Sequence, residues 1–494
     1  MPLSTSFSLG AGLGPLSNRE PQYQNQNTLL IDKDGRIRYA AISRRVLALP
    51  PEILAEIFLH CLPDVEFVKP DITFAPILLC GICRPFREIA LLTPGLWSSL
   101  RFDAELATER DLIRSWLFRA RKAPLSLRFH YGAGEGWDSD SARSILQTIV
   151  ELAPQWRNIS LNITPGLAKL LPTAGNFPLL EKLDFAAFGG FHAEVSFRDA
   201  PKLRQVNALT YHRVRHTTTQ LPWHQITTLR AASISFDNCL AILRDATNLV
   251  DGTFEVGNER PDSLTEPVPD TLQLRMTHLQ SLTLVGMRAL ASPIAPMHVL
   301  KYLTAPALKS LTLQFTPSDH DPAVDLNTSP FLSFIFRSSC QLHTLVLSLV
   351  ATPDAIIRCL NLLPSLVVLK ILPLRVADIH TVFLQLTGHP DFLPKLESLH
   401  VNFTDRGCVL HSEALPASAV IDLLRWRWAT PGVARLRSLQ LAHEHTTSVI
   451  DEIVNASEFK RLAAEGMDLY VGPFRPGIDW VYKHRKHRKY TTRA

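Results

Sequence analysis

Two hexapeptides, Leu279-Gln-Ser-Leu-Thr-Leu284 and Leu308-Lys-Ser-Leu-Thr-Leu313, share the pattern L-x-x-L-x-L. The last two leucines of each copy are separated by one polar residue, so they point to the same side of a short strand. The first leucine lies in the turn that enters the strand. One copy carries little information because leucine is common, so the number and spacing of the copies matter.

Twelve copies of this apolar triplet follow one another along the chain. From residue 180 to residue 249 their first residues are 23 residues apart, and later steps such as 279 to 308 and 366 to 396 are near 30 residues, with looser steps between them. These spacings are typical of a leucine-rich repeat with irregular insertions. The copies are Trp97/Leu100/Phe102, Trp156/Ile159/Leu161, Leu180/Leu183/Phe185, Leu203/Val206/Ala208, Ile226/Leu229/Ala231, Leu249/Gly252/Phe254, Leu279/Leu282/Leu284, Leu308/Leu311/Leu313, Leu342/Leu345/Leu347, Leu366/Leu369/Ile371, Leu396/Leu399/Val401 and Leu436/Leu439/Leu441.

Helix-capable stretches such as residues 236–244 and 353–360 separate these triplets. One strand and one helix per repeat predict an α/β fold, an irregular leucine-rich-repeat solenoid of short parallel strands alternating with helices over residues 96–475. A leucine-rich globular α/β domain is the alternative. Several copies carry a proline shortly before the triplet, which predicts an extended entry into the strand and blocks an upstream helix. These prolines are Pro178, Pro201, Pro306, Pro364 and Pro394.

A different pattern precedes the repeats, in Leu47-Ala-Leu-Pro-Pro-Glu-Ile-Leu-Ala-Glu-Ile-Phe-Leu-His-Cys-Leu62. Pro50 and Pro51 suit a helix start, where the missing N–H needs no partner. Glu52 and Glu56 lie near that helix N-terminus, where the macrodipole favours anions. The apolar residues that follow recur at helical spacing and predict one apolar stripe, formed by Ile53, Leu54, Ile57, Phe58 and Cys61.

A second amphipathic run over residues 77–92 predicts a helix that covers part of this stripe. Its apolar residues are Leu78, Leu79, Ile82, Phe86 and Ile89. Pro85 falls inside the run, so we expect a kink at the preceding turn or a helix split in two. An ordinary helical pair packed on its own domain is the alternative interpretation.

The order of these motifs is Leu-Pro-x-Glu-Ile-Leu-x-Glu-Ile-Phe, a loop, Cys83-Arg-x-Phe-Arg-x-Ile-Ala90 and Thr93-Pro-x-Leu-Trp97. Over residues 45–102 it resembles an F-box-like domain of the type abundant in basidiomycete fungi, whose chains commonly carry degenerate leucine-rich repeats. The resemblance implies a small all-α module that binds the adaptor subunit of a Skp–cullin–F-box ubiquitin ligase. The family usually has Trp where this chain has Phe86.

Carried over residue by residue, the resemblance implies two partner-binding faces. The first consists of Leu49, Pro50, Ile53, Leu54, Ile57 and Phe58, and the second of Cys83, Arg84, Phe86 and Trp97. The expected function is that of a non-catalytic substrate receptor in protein degradation. Its partners would be the Skp-type adaptor, through it a cullin, and a target protein held by the repeats.

Two other functions remain open at this point. A leucine-rich-repeat scaffold could bind a partner through its helical module outside any ubiquitin ligase. An enzyme would need a deep pocket with clustered ionisable side chains, because catalytic groups assemble in space rather than in sequence. We find no phosphate-binding glycine loop, no nucleophile elbow and no paired nucleophile and base. We therefore predict no catalytic residue, no metal and no cofactor.

Composition is that of a folded globular chain, with 494 residues, 46% hydrophobic and 20% charged. A net charge of +5 is mild for this length, so we expect neither a nucleic-acid partner nor a membrane partner. Seven scattered cysteines indicate a reducing compartment. No apolar run approaches about 18 residues and no signal peptide is evident, which predicts a cytoplasmic or nuclear location.

The remaining segments complete the predicted organisation. Residues 1–27 read as a disordered leader, residues 28–95 as the F-box-like helical module and residues 476–494 as a basic C-terminal tail. Residues 482–490 alternate Lys, Arg and His, and either form a nuclear-localisation or acidic-partner patch or are a solvated terminus.

Four local motifs could carry chemistry or bind a partner. Cys80 and Cys83 have the spacing of a redox or zinc pair, but we favour core cysteines because no second pair follows. Asp319-His320-Asp321 is a possible metal ligand set, although we favour a solvated loop. His443-Glu444-His445 does not match a metalloprotease helix. In Arg425-Trp-Arg-Trp428 one tryptophan is either available to a partner or packed under the next strand.

Overall fold

The computed structural model describes most of the chain from residue 46 to residue 473. The described ranges are 46–103, 110–130, 140–172, 175–187, 195–210, 219–257, 271–286, 295–315, 328–348, 352–404, 417–443 and 448–473. The predicted leader and tail, Cys408, Asp319-His320-Asp321, Glu444 and His445 lie outside these ranges.

A parallel sheet of fourteen strands forms the body of the molecule, and helices alternate with its strands in a solenoid-like α/β fold. Its strands are β1 (Ser99–Asp103), β2 (Leu125–His130), β3 (Trp156–Ile163), β4 (Lys182–Ala187), β6 (Gln205–Thr210), β8 (Thr228–Ser235), β9 (Asp251–Gly257), β11 (Ser281–Gly286), β13 (Ser310–Phe315), β14 (Thr344–Ser348), β15 (Val368–Arg375), β16 (Ser398–Thr404), β17 (Ser438–His443) and β18 (Asp468–Pro473). Two short parallel pairs stand outside it, β5 (Val195–Ser196) with β7 (Thr219–Gln220) and β10 (Leu274–Arg275) with β12 (Leu303–Thr304).

The helices divide between the N-terminal module and the repeats. In the module they are α1 (Pro51–His60), α2 (Ile77–Ile82) and α3 (Arg84–Leu92), followed by a 3-10 turn at Pro94–Trp97. Further along the chain they are α4 (Arg110–Ala120), α5 (Asp140–Glu151), α6 (Pro165–Ala168), α7 (Phe236–Asp245), α8 (Ala295–Lys301), α9 (Ser329–Ser338), α10 (Pro353–Leu360), α11 (Val376–Gly388), α12 (Ala417–Ala429), α13 (Ser448–Asn455) and α14 (Ser457–Ala464).

All twelve predicted triplets contribute a strand to the long sheet, and their apolar residues lie in register. Leu282 is paired with Gly252 on one side and Leu311 on the other, and the same alignment continues along the sheet. The copy Leu249/Gly252/Phe254 keeps the register, because neighbouring side chains fill the space that a side chain at Gly252 would take. A Cβ at Gly252 would lie 2.9 Å from the ring of Phe254 and 3.0 Å from Leu249.

Two strands of the sheet were missed by the triplet pattern. In β2 and β18 the strand residues alternate as elsewhere, but the position three residues before Leu127 and Leu469 holds Pro124 and Gly466. A buried apolar residue stands one position later in each, Leu125 and Met467, so both copies depart from the triplet spacing. The alternation Leu125, Leu127 and Phe129 was the remaining signal for β2.

The prolines before the triplets lie in tight turns, not in extended entries. The N–H of Leu203 donates to the carbonyl of Ala200 at 3.1 Å, and Leu396 donates to Leu393 in the same way, also at 3.1 Å. Each bond closes a four-residue turn with proline at its second position, where the fixed φ of proline fits. The equivalent bonds occur at Pro178, Pro306 and Pro364.

The second helical run is split, as Pro85 allowed. α2 ends at Ile82, Cys83 is extended, and α3 starts at Arg84 with Pro85 in its first turn. Proline is tolerated there because the N–H groups of a first turn have no helical partner. Cys83 is therefore a junction residue and not an interior helix residue.

In the Arg425–Trp428 motif the second arginine lies in the core. Neither tryptophan is fully buried. Arg427 is 1% exposed. Its guanidinium donates to three carbonyls of the preceding repeat, those of Leu386 at 3.0 Å, Leu393 at 2.9 Å and Phe392 at 2.7 Å. Burial lowers the pKa of Arg427 to about 10. The side chain thus joins α12 to the end of the repeat before it.

We expect Arg427→Ala to lower the free energy of unfolding by at least about 3 kcal/mol, since each carbonyl left unsatisfied costs about 1–3 kcal/mol. Arg425→Ala is the control, because Arg425 is largely exposed on the same helix and should matter by only about 0.5 kcal/mol. Thermal and denaturant unfolding of both variants measures the difference. Equal effects of the two substitutions would contradict the assignment.

A buried histidine makes stability depend on pH. His400, on β16, is 4% exposed, and burial with the nearby charge of Lys370 lowers its pKa to about 4. Its pKa in an unfolded chain is about 6.5. Between these values the unfolded chain binds a proton that the folded chain does not. Stability therefore falls as the pH is lowered from about 6.5 towards 4.

We expect His400→Gln to remove up to about 3 kcal/mol of this acid-induced loss. The measurement is the unfolding midpoint of wild type and variant at neutral pH and at about pH 4.5. The difference between the unfolding midpoints of the two proteins should change in favour of the variant as the pH is lowered. A difference that does not change with pH would show that His400 does not carry this pH dependence.

Candidate partner-binding surface

Helix α1 carries apolar side chains on two sides, and only one side is buried. Leu54 and Phe58, one turn apart, are each 2% exposed and belong to the core. On the other side Ile53 and Ile57, one turn apart, are 49% and 42% exposed, and Leu49, which lies just before the helix, is 38% exposed. The single stripe predicted from the sequence is therefore two stripes, one facing inward and one facing outward.

Exposed apolar side chains are concentrated in this module. Of the sixteen large hydrophobic side chains that are exposed in the described part of the chain, ten lie between residues 47 and 92. They are Leu47, Leu49, Ile53, Ile57, Val65, Ile72, Phe74, Leu78, Ile82 and Leu92. Scattered exposed leucines are normal on a monomer, so this concentration makes the module the candidate for a partner-binding surface.

Three residues predicted to contact a partner are buried inside the protein, so this prediction was wrong for them. Leu54 and Phe58 pack inward, and the Phe58 ring lies 4.8 Å from that of Phe86 in an edge-on arrangement. Trp97 is 2% exposed, and its Nε1 donates to the carbonyl of Ala90 at 2.8 Å. These side chains hold the module together and offer no surface.

The other predicted residues reach the surface to different degrees. Pro50 and Arg84 are exposed, and the Arg84 Nε donates to Glu88 at 2.9 Å. Cys83 and Phe86 are half-buried. Together with Leu49, Ile53 and Ile57, the exposed members of the predicted set lie on α1, just before it and at the start of α3.

Sequence reasoning assigned four further exposed residues to no binding surface. Leu78 and Ile82 lie one turn apart on α2 and are 44% and 55% exposed. Ile72 and Phe74, in the loop before α2, are 77% and 55% exposed. The i, i+4 spacing on α2 was present in the sequence, but it was interpreted as cover for α1.

A tryptophan pair joins the module to the first strand. The rings of Trp97 and Trp116 lie 4.8 Å apart, edge to face, and the Arg119 guanidinium lies 4.6 Å from the centre of the Trp97 ring. Trp116 also donates to the carbonyl of Ser99 at 3.2 Å. Module and sheet share one continuous hydrophobic core.

The loop between α1 and α2 also covers the edge of the sheet. The N–H of Arg101 on β1 donates to the carbonyl of Val68 at 2.7 Å, and the N–H of Val68 donates to the Ser99 hydroxyl at 3.0 Å. The Lys182 ammonium on β4 contacts both carboxylate oxygens of Glu66 at 2.8 Å. The loop is thereby fixed to β1 and to β4.

The face of the sheet opposite the leucines carries a column of one residue per strand, polar in every strand except β14, where it is Val346. In strand order it holds Arg101, Arg128, Ser160, Asp184, Asn207, Arg230, Thr253, Thr283, Thr312, Val346, Lys370, His400, Gln440 and Tyr470. Arg101 and Arg128 are direct neighbours, which the sequence did not predict because their strands are 27 residues apart in the chain.

A polar network occupies the module end of this face. The Arg128 Nε donates to His130 at 3.0 Å, and the Ser160 hydroxyl donates to Asp184 at 2.9 Å. Burial raises the pKa of the Asp184 carboxyl, while Ser160 and the positive charges of Arg128 and Lys182 oppose the shift. At this end Arg128 and Asp184 are therefore each held by a hydrogen bond to a neighbouring polar side chain.

The remaining predicted motifs offer no assembled chemical site among the residues described. Cys80 is half-buried, and burial raises the pKa of its thiol. Within the described ranges no three His, Cys, Asp or Glu side chains come together as a metal site. No helix in these ranges is long and apolar enough to cross a membrane.

No family model matches this chain, and no curated protein matches it either.

The two stripes of α1 should respond differently to truncation. We expect Phe58→Ala to lower the free energy of unfolding by about 3–5 kcal/mol, because it leaves a cavity in the core. Ile53→Ala should change it by about 0.5 kcal/mol or less, because that side chain already faces solvent. Denaturant unfolding followed by tryptophan fluorescence measures both. A large loss with Ile53→Ala would contradict the outward orientation.

Proposed function

We propose that this chain is the substrate-recognition subunit of a Skp–cullin–F-box type ubiquitin ligase. The helical module would bind the adaptor as an F-box-like domain, and a leucine-rich-repeat region would hold the target protein. The observation that carries the proposal is the outward apolar stripe, Ile53 and Ile57 on α1 with Leu49 just before it, on a helix already secured by its inward side chains.

The energetics of this stripe favour a protein partner. Burying an exposed leucine or isoleucine contributes up to about 1.5–3 kcal/mol, so Leu49, Ile53 and Ile57 could supply the centre of a specific interface. The exposed carboxylates of Glu52 and Glu56 and the exposed Arg84 offer polar contacts beside it. This arrangement of an apolar centre with charged neighbours is usual for protein interfaces.

In this proposal the chain itself contributes no catalytic group. The ligase transfers ubiquitin, and the receptor accelerates the transfer by holding the target near the reacting subunit. The proposed place of action is the cytoplasm or nucleus. The identification rests on the ordered motif and on the exposed stripe together.

Affinity capture from cells that contain the ligase subunits tests the proposal. We expect wild type to recover the adaptor and the cullin, and Ile53→Lys plus Ile57→Lys to lose both, because two charges would be placed in an apolar interface. Leu54 is unsuitable for this test, since its substitution would disturb the core. The matched control is Phe336→Lys plus Leu384→Lys, which changes two exposed apolar residues outside the module.

Recovery of adaptor and cullin by the Ile53/Ile57 variant at the wild-type level would overturn the proposal. A wild-type chain that recovers neither subunit, yet binds other proteins through the same stripe, would favour a repeat scaffold acting outside a ligase. Circular dichroism of each variant confirms that the fold is retained.

A further inference from the structure

An open polar groove of about 540 Å³ lies beside the junction of module and sheet, where the strands β3, β4 and β6 begin. The module loop forms one wall through Glu66, and the first residues of three successive repeats form the others. The lining residues are Glu66, Asn158, Glu181, Lys182, Lys202, Arg204 and Gln205.

Both carboxylates of the groove are already neutralised. Glu66 is paired with Lys182 at 2.8 Å, and Glu181 accepts from the Arg157 Nε at 3.1 Å. Two cations remain, Lys202 and Arg204, and neither is paired with a carboxylate in the described part of the chain. The lining residues thus carry three cations against two carboxylates, and Arg157, paired with Glu181 from outside the lining, raises the surplus to two positive charges.

The backbone fixes where these two cations lie. Lys202 occupies the third position of the turn that Leu203 closes onto Ala200. One terminal nitrogen of Arg204, Nη1, donates to the carbonyls of Pro201 at 3.1 Å and Leu203 at 3.0 Å. Its Nη2 and Nε retain their capacity to donate. Both residues are exposed.

We propose that this groove binds a carboxylate-rich segment of the target protein, an inference that rests on the proposed function for its biological role. Lys202 and Arg204 would each receive an acidic side chain, with the guanidinium suited to a bidentate contact. The amides of Asn158 and Gln205 can hydrogen-bond the backbone of an extended segment. A nucleic acid fits poorly, because its affinity comes from many phosphate contacts and the groove offers only two cations that are not paired with a carboxylate in the described part of the chain.

Later repeats carry cations at the same turn positions, so they allow a control that changes the same kind of charge outside the groove. Lys395 lies in the same position of its turn as Lys202, but the residue corresponding to Arg204 is Glu397. Arg437, at that same position one repeat further, is paired with Glu397 at 3.4 Å. Lys309 also precedes its strand as Arg204 does, but no cation occupies the position of Lys202 in that repeat. Lys309 and Lys395 therefore supply a matched control.

Fluorescence anisotropy with a labelled oligoglutamate peptide and the full-length chain tests the inference. We expect Lys202→Glu plus Arg204→Glu to weaken binding at least about tenfold, and wild-type binding to weaken with added salt. Lys309→Glu plus Lys395→Glu makes the same change of charge outside the groove and should leave binding within about twofold of wild type. The single variant Lys202→Glu preserves the carbonyl bonds of Arg204 and should still weaken binding.

Unchanged binding by the groove variants would overturn the inference, as would an equal loss in the Lys309/Lys395 control or tighter binding of an oligolysine peptide. Adaptor capture separates this outcome from failure of the proposed function. The groove variants should recover the adaptor at the wild-type level, because Ile53 and Ile57 are unaltered. A chain that binds the peptide in the groove but recovers no adaptor would overturn the ligase proposal and leave the groove assignment standing.

Discussion

One column of apolar side chains, aligned strand by strand, holds the long sheet together. In each strand two residues separated by one position face the same buried side and meet their equivalents in the next strand, as Leu282 meets Leu311 and Leu284 meets Leu313. A single repeat can bury neither this surface nor its backbone polar groups, so each repeat depends on its neighbours. Register is consequently strict, and even Gly252 lies in the column because Phe254 and Leu249 fill its space.

The same dependence explains why the module cannot be a separate appendage. A repeat array exposes an edge strand and an open core at its ends, and both need cover. At the first strand, Trp97 and the inward side chains of α1 extend the core, while Val68 accepts a hydrogen bond from the edge strand at Arg101. The inward stripe of α1 is therefore committed to the fold. The outward stripe has no such role, which is why it is available for a partner.

Periodicity in the sequence was sufficient to predict twelve of the strands, because a period of two with an apolar entry residue is specific when it recurs. The pattern failed at β2 and β18, where Pro124 and Gly466 occupy the position of that entry residue. On α1 the same reasoning could not separate inside from outside, because apolar residues occupy more than one side of the helix. Burial on a helix of this kind is decided by tertiary packing, through Phe86 and Trp97, and not by local spacing.

Polar contacts between distant residues were out of reach of the sequence for a related reason. Arg427 looked like part of an exposed arginine–tryptophan motif, yet it bonds to carbonyls 34 to 41 residues earlier. Glu66 and Lys182 are 116 residues apart. Neither pair leaves a periodic trace, because one charged residue in a loop or helix has the same local signature whether or not it meets a partner.

The junction also bears on how a receptor of the proposed kind would work. The 3-10 turn ends at Trp97 and β1 begins at Ser99, so no linker separates the docking stripe from the sheet. A flexible linker would spread a bound target over many positions and lower its effective concentration at the ligase. A shared core, reinforced by the Glu66–Lys182 contact, restricts a bound target to few positions. The groove has Glu66 in its wall, so a segment bound there would be held against the module itself, at a distance from the adaptor set by packing and not by chain length.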